Sequence, residues 1–306
     1  MLRIGTDCSG IPFEHSFCCE KDKYALQSIK ANYTPKKIYT DITKRKHALL
    51  PDIDMYVCGF PCQPFSLMGN KMGTEDSRSN IMYQCIKVIQ KKLPKIFILE
   101  NVKNFKFIQN GTPFNYLLNQ LKNIKNKNKE FAYNVSFDIL NTKDYGIPQN
   151  RERIFIIGIR KDIEREPYST PEKLPMRDLD DFIIDKNIYH TVPHKSLQKN
   201  LDKINHEKNC IVTPFTYYFP IKNISPTLTT QCSKYYLTSY NRKINIEDAL
   251  QLQGFPIKFN QDISNTQMFK QIGNSMSVNV LKALFNHCLL LGTPQIRDMS
   301  QKNLQY

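Results

Sequence analysis

No stretch of eighteen apolar residues occurs in this 306-residue chain, so no transmembrane helix is expected. The chain opens directly into an apolar segment, Met1-Leu2-Arg3-Ile4, with no basic leader before it. No signal peptide is expected, and a cytoplasm-like, reducing compartment follows. There is no CxxC pair among the nine cysteines. Cys18 and Cys19 are adjacent, and Cys58 and Cys62 share a strand end. Neither a structural zinc site nor a disulfide framework is therefore expected. No internal repeat recurs. Acidic residues are in short supply: 28 face 43 basic side chains, a formal net charge of +15. Such an excess implies a polyanionic partner, nucleic acid foremost, or a solvated basic surface. Lysine outnumbers arginine and asparagine is abundant, a bias that an AT-rich genome also produces.

What is present is enough chain for a large core and two domains of unequal size. Short apolar runs alternate with helix-period segments through the first half. Residues 2–8 read as a first strand and 9–12 as a turn. Phe13 to Cys19 reads as a second strand ending at Glu20, and Lys23 to Asn32 has helical spacing. Ile38-Tyr39 leads to a strand end at Asp41, and Met55 to Cys58 is a further strand. A helix is expected from Asn80 to Lys92, stopped by Pro94, then a strand over 95–99 ending at Glu100. Phe114 to Leu121 reads as a helix, and the Lys/Asn run 122–129 as a solvated loop. Val135–Leu140 and Arg153–Ile159 look like an antiparallel pair. The alternation argues for an α/β fold with a mostly parallel sheet. From about Lys161 periodicity weakens and short β-like runs appear at 210–213 and 235–238. A smaller, β-rich domain is expected over 165–268. Residues 271–276 then open a helix from Val278 to Leu291 that returns to the first domain, and 293–306 read as a polar tail.

The stretch Gly59-Phe60-Pro61-Cys62-Gln63-Pro64-Phe65-Ser66 organises the chemistry. Cys62 falls just past a strand end, where open α/β sheets place their sites. Pro61 and Pro64 bracket it, each fixing its own φ and biasing the residue before it toward extended geometry. A small buried cysteine in a turn is the plain alternative. Glu20, Asp41 and Glu100 also stand at strand ends. Solvent exposure accounts equally well for Glu20 and Asp41. Glu100 follows five apolar residues, and a carboxyl emerging from a buried strand tends to a raised pKa and proton donation. Arg151 and Arg153, two residues apart before an apolar strand, share a face if extended and are able to hold a carboxylate or phosphate. A surface β-pair is the alternative. A free thiol is only a few per cent thiolate at neutral pH, and neighbouring arginine charge would increase that fraction.

In order, Gly59-Phe-Pro-Cys-Gln-Pro-Phe-Ser, Glu100-Asn-Val, Gln149-Asn-Arg-Glu-Arg, Ser225-Pro-Thr-Leu-Thr-Thr, Leu252-Gln-Gly-Phe-Pro and Gln271-Ile-Gly-Asn-Ser resemble the cytosine-5 DNA methyltransferase family. The resemblance spans residues 2–291. It implies the Rossmann-like fold of S-adenosylmethionine-dependent methyltransferases: a catalytic and cofactor-binding domain over 1–164, completed by 269–292. The domain over 165–268 becomes one of target recognition, concentrated in 165–224 and short enough for a short recognition sequence. Cys62 would attack C6 of a flipped-out cytosine while Glu100 protonates N3. Arg153 would support the cytosine O2, and Arg151 would help hold the thiol and Glu100. Residues 69–78 would close over the flipped base. S-adenosylmethionine would meet Cys8, Ser9 and Gly10, with Glu20 on its ribose, Asp41 on its adenine amino group and Asn274-Ser275 beside its methionine end. Double-stranded DNA is the implied partner, together with a possible cognate restriction endonuclease or a viral counterpart of such a system. The implied state is a monomer, cytoplasmic in a bacterial or virus-infected cell.

The chain departs from the family in one place. Cys8-Ser9-Gly10-Ile11 begins the glycine-rich turn after the first strand, yet Phe13 already reads as the next strand. A parallel crossover needs roughly a dozen connecting residues. The helix whose N-terminus would face the cofactor is missing, so the first cofactor-binding motif is cut short. Two readings compete with an active DNA enzyme: a tRNA cytosine-5 methyltransferase, and a catalytically impaired DNA-binding derivative.

Overall fold

A computed structural model describes residues 13–61, 81–189, 193–205, 207–215 and 219–292. The first strand expected over 2–8, the turn after it and the tail over 293–306 lie outside the described residues.

Strand β1 (Phe17–Cys19), helix α1 (Lys23–Asn32) and strand β2 (Lys37–Tyr39) form a parallel crossover unit. Asp22 starts the helix, its carboxylate accepting from the backbone N–H groups of Tyr24 and Ala25. The expected strand from Phe13 shrinks to three residues, because its partner β2 offers only Lys37–Tyr39 after Pro35. Strand β3 (Met55–Gly59), helix α2 (Ile81–Lys92) and strand β4 (Ile96–Val102) follow, with β3 and β4 again parallel. Helix α3 (Thr112–Lys122) leads to strand β5 (Tyr133–Asn141), the short strand β6 (Gln149–Asn150) and strand β7 (Glu152–Arg160). The main sheet runs β3-β4-β7-β5, with β7 antiparallel to both of its neighbours. The sheet is therefore mixed: parallel on the β3 side, antiparallel where the β5–β7 hairpin was expected.

Alternation along β4 explains its unbroken apolar sequence. Phe97 and Leu99 face one core with Val88, Ile89, Leu117 and Leu121 of α2 and α3. Ile96 and Ile98 face the opposite core, and all four residues are buried. Each such side chain contributes roughly 1.5–3 kcal/mol on burial.

The rest of the chain adds helix α4 (Lys195–Asp202) and the strands β8 (Ile211–Val212), β9 (Ser225–Pro226), β10 (Tyr236–Leu237) and β11 (Arg242–Lys243). Strands β8, β10 and β11 pair antiparallel, while β9 pairs with β6 in parallel. Helices α5 (Ile246–Leu252), α6 (Asn265–Asn274) and α7 (Val278–Gly292) complete it. A third core gathers Leu179, Ile211, Leu237, Leu252 and Ile272, and draws in Tyr33 and Ile147 from earlier in the chain. Helix α7 closes the second face of the main sheet through Leu281, Leu284, Phe285 and Cys288. Residues 271–274 do not open α7, as their sequence suggested; they end α6. Ser275 is extended, with φ −76° and ψ 156°, and its carbonyl is taken by side chains rather than by a helix ladder. Among the described residues no helix is long and apolar enough to cross a membrane.

Candidate active site

The register of β3 on β4 places Gly59 directly opposite Glu100. Arg153, at the start of β7, pairs in register with Val102 and reaches back to Glu100, Nε to Oε1 at 3.3 Å. Both side chains are largely buried. Burial raises the Glu100 carboxyl above its ordinary range, and the charges of Arg153 and then Arg151 pull it part of the way back. The result is an acid that keeps its proton nearer neutrality than a surface carboxyl. A methyl group at position 59 would come within 2.8 Å of Met276 Cε and 3.1 Å of Glu100 Oε2. A side chain here would push the tips of Met276 and Glu100 aside, so glycine keeps the strand end close to the acid and the α6–α7 connection.

Cys62, Cys8, Ser9, Gly10 and the loop 69–78 lie outside the described residues. The approach to Cys62 is described as far as Pro61. Asn101, buried beside Glu100, donates from Nδ2 to the Phe60 carbonyl at 3.0 Å and accepts the Val102 N–H on Oδ1. The Phe60 ring is buried edge-on against Phe105, with centroids 5.3 Å apart. The backbone two residues ahead of Cys62 is thus tied to the strand that carries Glu100. Sequence reasoning noted Asn101 after Glu100 but gave it no role of its own. The cue was an amide placed inside an otherwise apolar strand end.

Arg151 and Arg153 take different partners. Arg151 is buried and donates to three backbone carbonyls: Leu228 at 2.8 Å, Gly273 at 3.2 Å and Ser275 at 2.5 Å. Burial, then repulsion from Arg153, lowers its pKa to about 9, which leaves it charged at neutral pH. Among the described residues its hydrogen-bond partners are these backbone oxygens, a clamp rather than a fork on a carboxylate. Gln149 extends the clamp, donating to Leu252 O and Gln253 Oε1 and accepting from the Leu228 N–H. Gln253 donates in turn to Ser275 O. Four of the six motifs therefore meet in one buried network. Gly273 fits there because a methyl group would lie 2.2 Å from the Thr229 carbonyl carbon.

Glu20 and Asp41 follow the ends of the adjacent parallel strands β1 and β2. Glu20 Oε1 accepts from the N–H groups of Lys21 and Asp22, which fixes the carboxylate. Asp41 Oδ1 accepts from the N–H and hydroxyl of Thr43, and the hydroxyl bond, then the N–H bond, hold its pKa down. Asn274 is exposed, while the Ser275 hydroxyl is buried and donates to Ile272 O. Two carboxylates held by local hydrogen bonds and an exposed amide are polar groups of the kind a nucleoside-like cofactor uses.

The model of the family described as C-5 cytosine-specific DNA methylase matches residues 2–289. The type II methyltransferase M.NgoBI of Neisseria gonorrhoeae is 34% identical over 301 residues, covering 95% of this chain and 90% of that protein. M.BsuFI of Bacillus subtilis is 33% identical over 279 residues; the match covers 88% of this chain but only 65% of that protein. Among solved structures, Spodoptera frugiperda DNMT2 superposes with a TM-score of 0.70 at 17% identity, covering 94% of this chain and 96% of that one. Schizosaccharomyces pombe Dnmt2 gives 0.64 at 18% identity, covering 94% and 95%. At these identities the structural likeness speaks for the fold.

Proposed function

We propose that this chain, which belongs to the C-5 cytosine-specific DNA methylase family, methylates cytosine at C5 in duplex DNA as the modification half of a restriction-modification system. The observation that carries this reading is the buried Glu100–Arg153 pair beside Gly59, at the strand end that leads to Cys62. The family uses S-adenosylmethionine; we assign Glu20 to its ribose, Asp41 to its adenine amino group and Asn274 to its methionine end, supported by the locally hydrogen-bonded carboxylates of Glu20 and Asp41 and the exposure of Asn274. When bound, it supplies the methyl group that C5 accepts.

The chain's own residues do the rest. Cys62, as thiolate, adds to C6 of an extruded cytosine. Glu100 delivers its proton to N3, so the ring takes up the electron pair and C5 becomes nucleophilic. After C5 is methylated, a water takes the C5 proton, the freed pair restores the C5–C6 double bond as the sulfur leaves as thiolate, and N3 gives its proton back to Glu100. Arg153 steadies Glu100 and the cytosine O2. Arg151 acts at one remove, fixing the backbone of residues 273–275. Extruding the base costs a few kcal/mol, offset by pocket and phosphate contacts. Residues 165–268 are assigned to target recognition.

Transfer of a tritiated methyl group to duplex DNA and to tRNA tests the substrate. Label in DNA is expected; label in tRNA alone would overturn the reading. The proposed shortening of the first connection, whose residues 9–12 lie outside the described ones and whose residues 13–16 precede β1 at Phe17, is tested separately by calorimetric titration with S-adenosylmethionine. Saturable heat is expected. No heat at millimolar ligand would point to an impaired DNA-binding derivative.

A further inference from the structure

The charge surplus is not where target recognition is assigned. Residues 1–164 carry 26 basic and 16 acidic side chains, whereas 165–268 carry 13 and 11. Much of the surplus converges on the rim of the main sheet opposite Glu100. There, an open cleft of about 1280 Å³ is walled by the segments before β3, β4 and β5 and by the end of β7. From Lys95 to Glu100 along β4 is roughly 17 Å at about 3.3 Å per residue, so the two rims are separate surfaces.

Within the cleft three cations are already paired: Lys92 with Asp52 at 3.3 Å, Lys95 with Asp54 at 2.8 Å and Arg160 with Asp162 at 2.7 Å. Lys91, Lys125, Lys127, Lys129 and Lys161 remain, and among the described residues no carboxylate pairs with them. Glu130, the one other acid in the wall, accepts from Asn126 Nδ2 at 3.0 Å. The lysine run is not a loose coil. Asn126 Oδ1 accepts from the N–H groups of Asn128 and Glu130, the Asn126 N–H donates to Glu130 O, and Lys125 bridges to Phe131. This closed turn sets Phe131, 49% exposed, between two cations, with Lys125 Nζ 5.6 Å and Lys161 Nζ 6.0 Å from its ring centre.

Unpaired cations around an exposed ring are the parts of a single-strand platform, which holds phosphates by charge and a base by stacking. We propose that this cleft is a second nucleic-acid contact, taking a single-stranded segment through phosphates at the five lysines and one base on Phe131. It goes beyond methyl transfer and does not depend on it.

Fluorescence anisotropy of a labelled oligothymidylate 20-mer, without cofactor, tests it. The variants are Lys125→Glu/Lys127→Glu/Lys129→Glu together, and Phe131→Ala. At 0.1 M salt the triple variant is expected to bind at least tenfold more weakly. Its log–log salt slope should be shallower by about 2, as three contacts at ~0.7 each predict. Phe131→Ala should cost about tenfold, the scale of one stacked base. Both sites are exposed, so both variants should keep the parent's thermal unfolding. Affinities within twofold of the parent would overturn the proposal. So would equal losses on a duplex 20-mer with Phe131→Ala neutral, since charge alone would then be at work. Binding of the parent to anionic phospholipid vesicles that the triple variant loses, with oligonucleotide binding unmoved, would assign the cleft to a membrane surface instead. Because the readout is binding, its failure is distinct from a failure of methyl transfer.

Discussion

At one end of the four-stranded sheet two opposite charges, Glu100 and Arg153, are buried together and shift each other's titration. At the other end five lysines stand in solvent beside a half-exposed ring. The same strands supply both ends, so backbone geometry alone does not make the difference. Desolvation does. A few groups held dry gain chemistry from altered protonation; many groups left wet gain affinity from number and lose it to salt. The first kind of site should fail sharply on single substitutions, the second only by degrees.

The largest effect is expected at the sulfur. Cys62→Ala should abolish methyl transfer, a loss on the order of 10⁴-fold or more in single-turnover rate, since the nucleophile acts with its partners as a unit. Glu100→Gln should follow, with a loss of about 10²- to 10⁴-fold. It should also flatten the alkaline side of the pH–rate profile. The sign is set by the raised pKa: the acid must hold its proton to work, so activity falls as pH rises through that pKa. Stability should move the same way. Between the ordinary carboxyl pKa and the raised one, the folded chain keeps a proton that the unfolded chain releases, so stability falls as pH rises across that window. Arg153→Ala should slow transfer and move the alkaline limb to higher pH, because the charge that pulls the Glu100 pKa down is gone.

Smaller effects separate support from chemistry. Arg151→Met should destabilise the chain by about 3 kcal/mol, read as a lower denaturant midpoint, because Leu228 O and Gly273 O lose the Arg151 donor and Ser275 O keeps only Gln253. Its pH–rate profile should shift far less than that of Arg153→Ala. Asn101→Ala should lower kcat by about tenfold with KM nearly unchanged, because it loosens the backbone before Cys62 by removing the bond to Phe60 O; the bond from the Val102 N–H goes too, at roughly 1 kcal/mol each. Wild-type kinetics for Asn101→Ala would show that the amide serves only the fold.

Much of this was legible before the fold was known. Period-2 and continuous apolar runs located β3, β4, β5 and β7 to within a few residues. Pro94 marked the stop after α2. Glu100 stood out as a carboxyl after five apolar residues. The sequence was less informative where partners are distant. The length of β1 depends on how much strand β2 offers. The role of Arg151 depends on carbonyls at 228, 273 and 275, and spacing along the chain carries no sign of them. The lysine run over 122–129 is solvated as its sequence suggested, but its nearness to Lys91 and Lys161 was not legible, because they come from other segments.

The account turns on a sulfur bonding to a cytosine ring while a buried acid protonates that ring. A duplex carrying 5-fluorocytosine at the methylated position tests it most directly. Fluorine at C5 does not leave as a proton does, so the ring should stay attached to the protein. With S-adenosylmethionine present, mass spectrometry should find a covalent protein–DNA adduct at Cys62, and Cys62→Ala should form none. No adduct from a chain that methylates ordinary duplex, or an adduct that survives Cys62→Ala, would contradict the account.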